Sequence, residues 1–155
     1  MGYFGIGTTP TAPRVTTPAP PAAQIPVQGA PVGSGIRTVL GESGLEVFPM
    51  ILGAAEFGWH VDLDAAHRIL DAYRDSGGNA VHTSDGYAAG RSEHIVGQWL
   101  GRRGIRDDIV VAVRVGANPD NPGLGPVNLI RAVEASLTRL QTDRIDLLSL
   151  DALSD

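Results

Sequence analysis

From Ile36 to Leu150 the chain alternates short apolar runs with longer stretches whose apolar residues recur at helical spacing. This alternation restricts the fold more than any other feature. Ile36–Leu40 and Leu45–Phe48 flank Gly41-Glu42-Ser43-Gly44, which predicts a β-hairpin. Met50–Gly53 predicts a short strand. Asp62 or Asp64 is placed to cap a helix carrying Leu63, Ala66, Ile69, Leu70 and Tyr73 on one face, and Gly77-Gly78 ends it. Ala80–His82 predicts the next strand. Ser92 is expected to cap a second helix, with Glu93 in its first turn and Ile95, Val96, Trp99 and Leu100 buried. Asp108–Val115 is nearly continuous in apolar residues, as a strand covered on both faces should be. Pro126 opens a third helix with Val127, Ile130, Val133, Leu137 and Leu140 at helical spacing, and Ile145–Leu150 is a last strand. The order is a hairpin followed by β-α-β-α-β-α-β, which specifies an α/β fold with a parallel sheet and helices packed outside it. The Gly-, Pro- and Asn-rich connection from Gly116 to Pro126 reads as a loop over the strand ends.

Residues 1–35 are of another kind. Arg14 is their only charge, and they hold seven of the 11 prolines. Proline fixes φ and removes a backbone donor, so this segment is expected to be an extended, mostly disordered tail ahead of one domain at 36–155. Tyr3, Phe4 and Ile6 cluster at its start and, with the Pro-rich spacer, suggest a tethered peptide that docks on a partner; packing on its own domain is the alternative. The formal charge of −5 argues against non-specific nucleic-acid binding. No apolar run reaches the roughly 20 residues that span a bilayer, and no signal peptide is expected. With no cysteine, disulfides and thiolate metal sites are excluded, which fits the cytoplasm. All 12 basic residues are arginine, so no chemistry that needs a lysine of this chain is available.

The densest motif is Gly77-Gly78-Asn79-Ala80-Val81-His82-Thr83-Ser84-Asp85-Gly86-Tyr87, followed by Gly90-Arg91-Ser92-Glu93. Further on stand Arg106-Asp107-Asp108 before a strand and the run from Glu134-Ala135-Ser136-Leu137 to Asp143-Arg144-Ile145-Asp146-Leu147-Leu148. Together, in this order and spacing, these segments resemble the N-terminal half of the aldo-keto reductase family, from about Arg37 to Asp155. The resemblance implies half of a TIM (β/α)8 barrel. It also implies a site of four side chains at strand ends: a proton-donating tyrosine, a lysine beside it, an aspartate that holds the lysine, and a histidine that orients substrate.

Carried onto this chain, the tyrosine is kept as Tyr87. His82 stands at the aspartate position, Arg114 at the lysine position and Asp151 at the histidine position. Tyr87 therefore reads as the vestige of an acid. Arg114 and Asp151 are expected to pair across adjacent strands, with His82 in the same cluster. Asp85 is a possible stand-in carboxylate in the loop. The family takes most of its NADPH contacts from the second half of its barrel, and Gly123–Gly125 lacks the strand–Gly-x-Gly-x-x-Gly–helix context. No cofactor is expected, NADPH being the alternative if a partner completes the barrel.

Four strands of a barrel leave two open edges. The expected partners are therefore another protein or a second copy, with a sheet covered by its own tail as the alternative. Two functions remain open: a non-catalytic structural or regulatory subunit, and an NADPH-dependent oxidoreductase completed by another chain with Tyr87 as acid. His60, His67 and His94 lack ligand partners at metal spacing. Phe57 and Trp59 are expected to cover the barrel mouth or meet a partner, lining a ligand pocket being the alternative, and Arg102, Arg103 and Arg106 to complement a helix end.

Overall fold

The computed structural model describes residues 33–151. Most of the tail, residues 1–32 with the proposed docking residues Tyr3, Phe4 and Ile6, lies outside the described residues. The hairpin strands β1 (Thr38–Val39) and β2 (Glu46–Val47) pair antiparallel. A second sheet of four parallel strands follows in the order β3 (Leu52–Gly53), β4 (Ala80–Ser84), β5 (Val110–Val115), β6 (Leu147–Leu150). Helices α1 (Leu63–Asp75), α2 (Arg91–Arg103) and α3 (Pro126–Leu140) connect consecutive strands. The fold is thus α/β, the hairpin and first four strand units of a barrel. Among the described residues no helix is long and apolar enough to cross a membrane.

The core lies between the sheet and its helices. Val81, Val111, Val113 and Val115 present one sheet face to Leu70 of α1, Val96, Trp99 and Leu100 of α2, and Ala132 and Leu140 of α3. Trp99 is fully buried and its Nε1–H donates to Asp71 Oδ1 at 2.8 Å, so the indole satisfies its one polar atom while filling the α1–α2 seam. Asp71 also takes two bonds from Arg103, the residue expected at the helix end. Gly97 lets α2 and α3 touch: a Cβ there would stand 2.4 Å from the Leu140 carbonyl oxygen.

One open sequence expectation is settled and three are corrected. Asp62, not Asp64, caps α1, accepting from the Ala65 N–H at 2.8 Å. On that helix His67 is buried, its Nε2 3.2 Å from the Ile95 carbonyl, while Ile69 is exposed. Helical spacing alone cannot tell which flank of a stripe meets a neighbour. Ser92 does not cap α2. It lies inside the helix, and its hydroxyl donates to the Ala54 carbonyl at 2.7 Å and meets Thr83 Oγ1 at 2.9 Å, tying β3, β4 and α2 together. On α3, Val127 and Ile130 are exposed, and Ala132, Ser136 and Leu140 are the buried residues.

Candidate functional site

The C-terminal ends of β4, β5 and β6 bring the four positions singled out in the sequence to one place. His82 lies in β4 beside Ala112 of β5, and Arg114 of β5 lies between Ser84 and Ser149. Asp151 follows β6, where its N–H donates to the Val115 carbonyl at 2.9 Å. Tyr87 opens a 3₁₀ turn just after β4. The Arg114 guanidinium carbon is 5.5 Å from the centroid of the Tyr87 ring, and Nη2 donates to the phenol oxygen at 3.4 Å. Arg114 Nε lies 3.4 Å from Asp151 Oδ2, an ion pair without an aligned hydrogen bond from Nε. The expected Arg114–Asp151 pair is therefore formed. The His82 ring meets the Tyr87 ring edge to face, with centroids 6.0 Å apart. Burial first, and the Arg114 cation second, hold the His82 imidazole below its ordinary pKa of 6.5.

Asp85 does not join this cluster. Its buried carboxylate accepts from the Gly116 N–H at 2.9 Å and the Ala117 N–H at 3.4 Å, and its carbonyl accepts from Asn118 Nδ2 at 2.7 Å. It clamps the loop after β5 onto the end of β4, and so fixes Arg114 relative to Tyr87. Below it, Glu93 is fully buried and takes a bond from Arg139 Nε of α3. Its other oxygen has no hydrogen-bond partner, and burial pushes its pKa up.

The turn that carries Tyr87 is strained. Ala88 and Ala89 sit at φ 49° and 55°, followed by Gly90 at 85°. Left-handed alanines cost roughly 1–2 kcal/mol each, so the surrounding packing imposes this path. Nothing in the sequence signals it, because alanine has no turn preference to read. Phe57 is buried in the core, whereas Trp59 is exposed and stacks edge-on against His60.

The sequence profile of the aldo/keto reductase family matches residues 49–154. The chain belongs to the aldo-keto reductase family. It is 35 % identical over 136 residues to norsolorinic acid reductase B of Aspergillus parasiticus, covering 77 % of this chain and 36 % of that protein. It is 38 % identical over 114 residues to a probable voltage-gated potassium channel subunit beta of Arabidopsis thaliana, covering 70 % of this chain and 35 % of that protein. A putative aldo-keto reductase from Pseudomonas aeruginosa superimposes with a TM-score of 0.65 at 35 % identity, over 76 % of this chain and 46 % of that one. The chain thus spans about a third of the length of the curated relatives it matches.

Against the family pattern, the carboxylate and the imidazole have changed places. The family pattern puts the carboxylate after β4 and the imidazole after β6; here His82 is on β4 and Asp151 follows β6. Phenol, cation, carboxylate and imidazole all remain. The family also implies a nicotinamide dinucleotide, and the loop before α3 does not present a phosphate cradle for one. The loop has no Gly-x-Gly-x-x-Gly, the Gly116 N–H is taken by Asp85 and the Gly123 N–H by the Gly116 carbonyl, and Pro126 at the first turn of α3 has no N–H to offer a phosphate.

Proposed function

We propose that this chain is a non-catalytic member of the aldo-keto reductase family that acts as a structural or regulatory subunit through association. One observation carries the reading: the strand-end groups are turned on one another. Arg114 covers the face of Tyr87, Asp151 neutralises Arg114, and His82 meets the edge of the Tyr87 ring. Arg114 is bulkier than the family's lysine and presents a planar fork of donors in place of a compact ammonium. Reduction also needs a hydride donor held within reach of the acid, and the loop before α3 offers no phosphate cradle for one. A relative named as a channel subunit supports an accessory role. Titration of NADPH into the purified chain, followed through the fluorescence of Trp59 and Trp99, is expected to show no saturable change. Saturable quenching together with consumption of NADPH on adding an aldehyde would overturn the reading.

The exchanged but complete set of four groups favours a second reading, an oxidoreductase whose barrel is completed by further residues or another chain. In it Tyr87 donates the proton, and Arg114, held by Asp151, stabilises the charge left on the phenol oxygen. Carbonyl reduction by the completed assembly, abolished by Tyr87→Phe, would establish it.

A further inference from the structure

We propose that Glu93 and Arg139 are positioning residues for Tyr87: joined across the α2–α3 seam, they brace the left-handed turn that presents the phenol to Arg114. This role holds whether the strand-end site is catalytic or vestigial, and every group involved lies among the described residues between β3 and α3. The turn from Tyr87 to Gly90 has little to hold it from within. Ala88, Ala89 and Gly90 are all left-handed, at φ 49°, 55° and 85°. The Ala89 N–H donates to the Gly86 carbonyl at a long 3.3 Å. Alanines persist in this region only where the surroundings fix the path of the chain.

Both ends of the turn are fixed. Before it, the Asp85 N–H donates to the Arg114 carbonyl at 3.0 Å, and the Asp85 carboxylate clamps the loop after β5. After it, three consecutive side chains reach separate anchors. Arg91 Nε donates to the Gly58 carbonyl at 3.0 Å, the Ser92 hydroxyl donates to the Ala54 carbonyl at 2.7 Å, and Glu93 Oε2 accepts from Arg139 Nε of α3 at 2.5 Å. The last of these also touches the turn itself. A Cβ on Gly90 would stand 2.7 Å from both Cδ and Nε of Arg139, so the Arg139 side chain lies directly on the Gly90 backbone. The turn cannot relax toward α3 without displacing Arg139, and Glu93 holds Arg139 in place.

Stability alone does not account for this pair. A carboxylate and a guanidinium taken out of water lose most of their mutual attraction to desolvation, and an apolar pair of similar volume often does as well or better. Glu93 is fully buried and leaves Oε1 without a partner, which adds to the penalty. An apolar pair would fill the seam, but it would not fix a planar group at one height above Gly90. The Glu93–Arg139 bond does so, because Nε has a set place in a rigid fork. The effect reaches three residues back along the chain, to a phenol whose contacts with Arg114 and His82 depend on where the turn puts it.

The test follows nuclear Overhauser contacts between the His82 and Tyr87 rings of the full chain, assigned through His82→Asn and Tyr87→Phe; the ring centroids stand 6.0 Å apart, edge to face. Glu93→Gln with Arg139→Ala removes the brace without leaving a charge buried. It should keep the native circular dichroism and lose the His82–Tyr87 contacts. Adding Ala88→Gly and Ala89→Gly, which frees the left-handed turn of strain, should restore them. A pair that served only stability would lower the melting temperature of the variant and leave the contacts in place. Gly90→Ala covers the case in which the double variant misfolds: its methyl pushes Arg139 off the turn and should also lose the contacts. Contacts of native intensity in either folded variant, or a loss that the two glycines do not reverse, would overturn the proposal. No NADPH and no turnover enter the measurement, so its outcome is separate from that of the NADPH titration above.

Discussion

Glu93 and His82 are the residues whose environments work against their charge, and each leaves a pH signature of opposite sign. Burial raises the Glu93 carboxyl above its ordinary 4.5 despite the Arg139 bond. The folded chain then holds that proton where the unfolded chain has lost it, so this contribution to stability falls as pH rises from 4.5 through the raised value. Thermal melts in this window should show the fall in the native chain and a flatter profile in Glu93→Gln. His82 is depressed below 6.5, so the unfolded chain binds its proton first as pH drops. Stability from neutral His82 is present above 6.5 and is lost as pH falls toward the lowered value. Proton NMR of the ring should give a midpoint below 6.5. In Arg114→Met the midpoint should rise without reaching 6.5, because burial is the larger cause. A midpoint unmoved by that change would mean Arg114 does not face the ring. Both residue types were visible in the sequence, and the resemblance marked His82. Neither the orphaned oxygen of Glu93 nor the neutral state of His82 was visible, since both depend on what packs around them.

At the scale of elements, ends and close approaches decide more than spacing does. Asp62 caps α1 through its side chain, so Asp62→Ala should cost about 1 kcal/mol in denaturant unfolding while Asp64→Ala costs much less. Gly97→Ala forces a methyl against the Leu140 carbonyl and should cost about 1–3 kcal/mol by separating α2 from α3. The left-handed turn after Tyr87 gives the opposite sign. Ala89→Gly removes strain of roughly 1–2 kcal/mol, offset by the roughly 0.5–1 kcal/mol entropic penalty of glycine, and should stabilise slightly. Strand and helix order was legible because period-2 and period-3.6 patterns are local. The capping role expected of Ser92 was not realised, since a hydroxyl at a helix start serves equally well as a bridge to Ala54 and Thr83 when two strands lie within reach.

For the whole molecule, one core between the four-stranded sheet and its three helices holds the described elements together. The sequence by itself determined the α/β order, the parallel sheet, the family, and the four positions His82, Tyr87, Arg114 and Asp151, because these reside in local periodicity and in motif spacing. Only the tertiary structure decided how those positions meet. The clamp of Asp85 on Gly116, the contact of Arg114 with the Tyr87 ring, and the exposure of Ile130 and Leu150 all follow from strand register and from which helix has a neighbour. Register is a relation between segments far apart in the chain, and a one-residue slip would turn strand residues such as Arg114 and Leu150 to the other face.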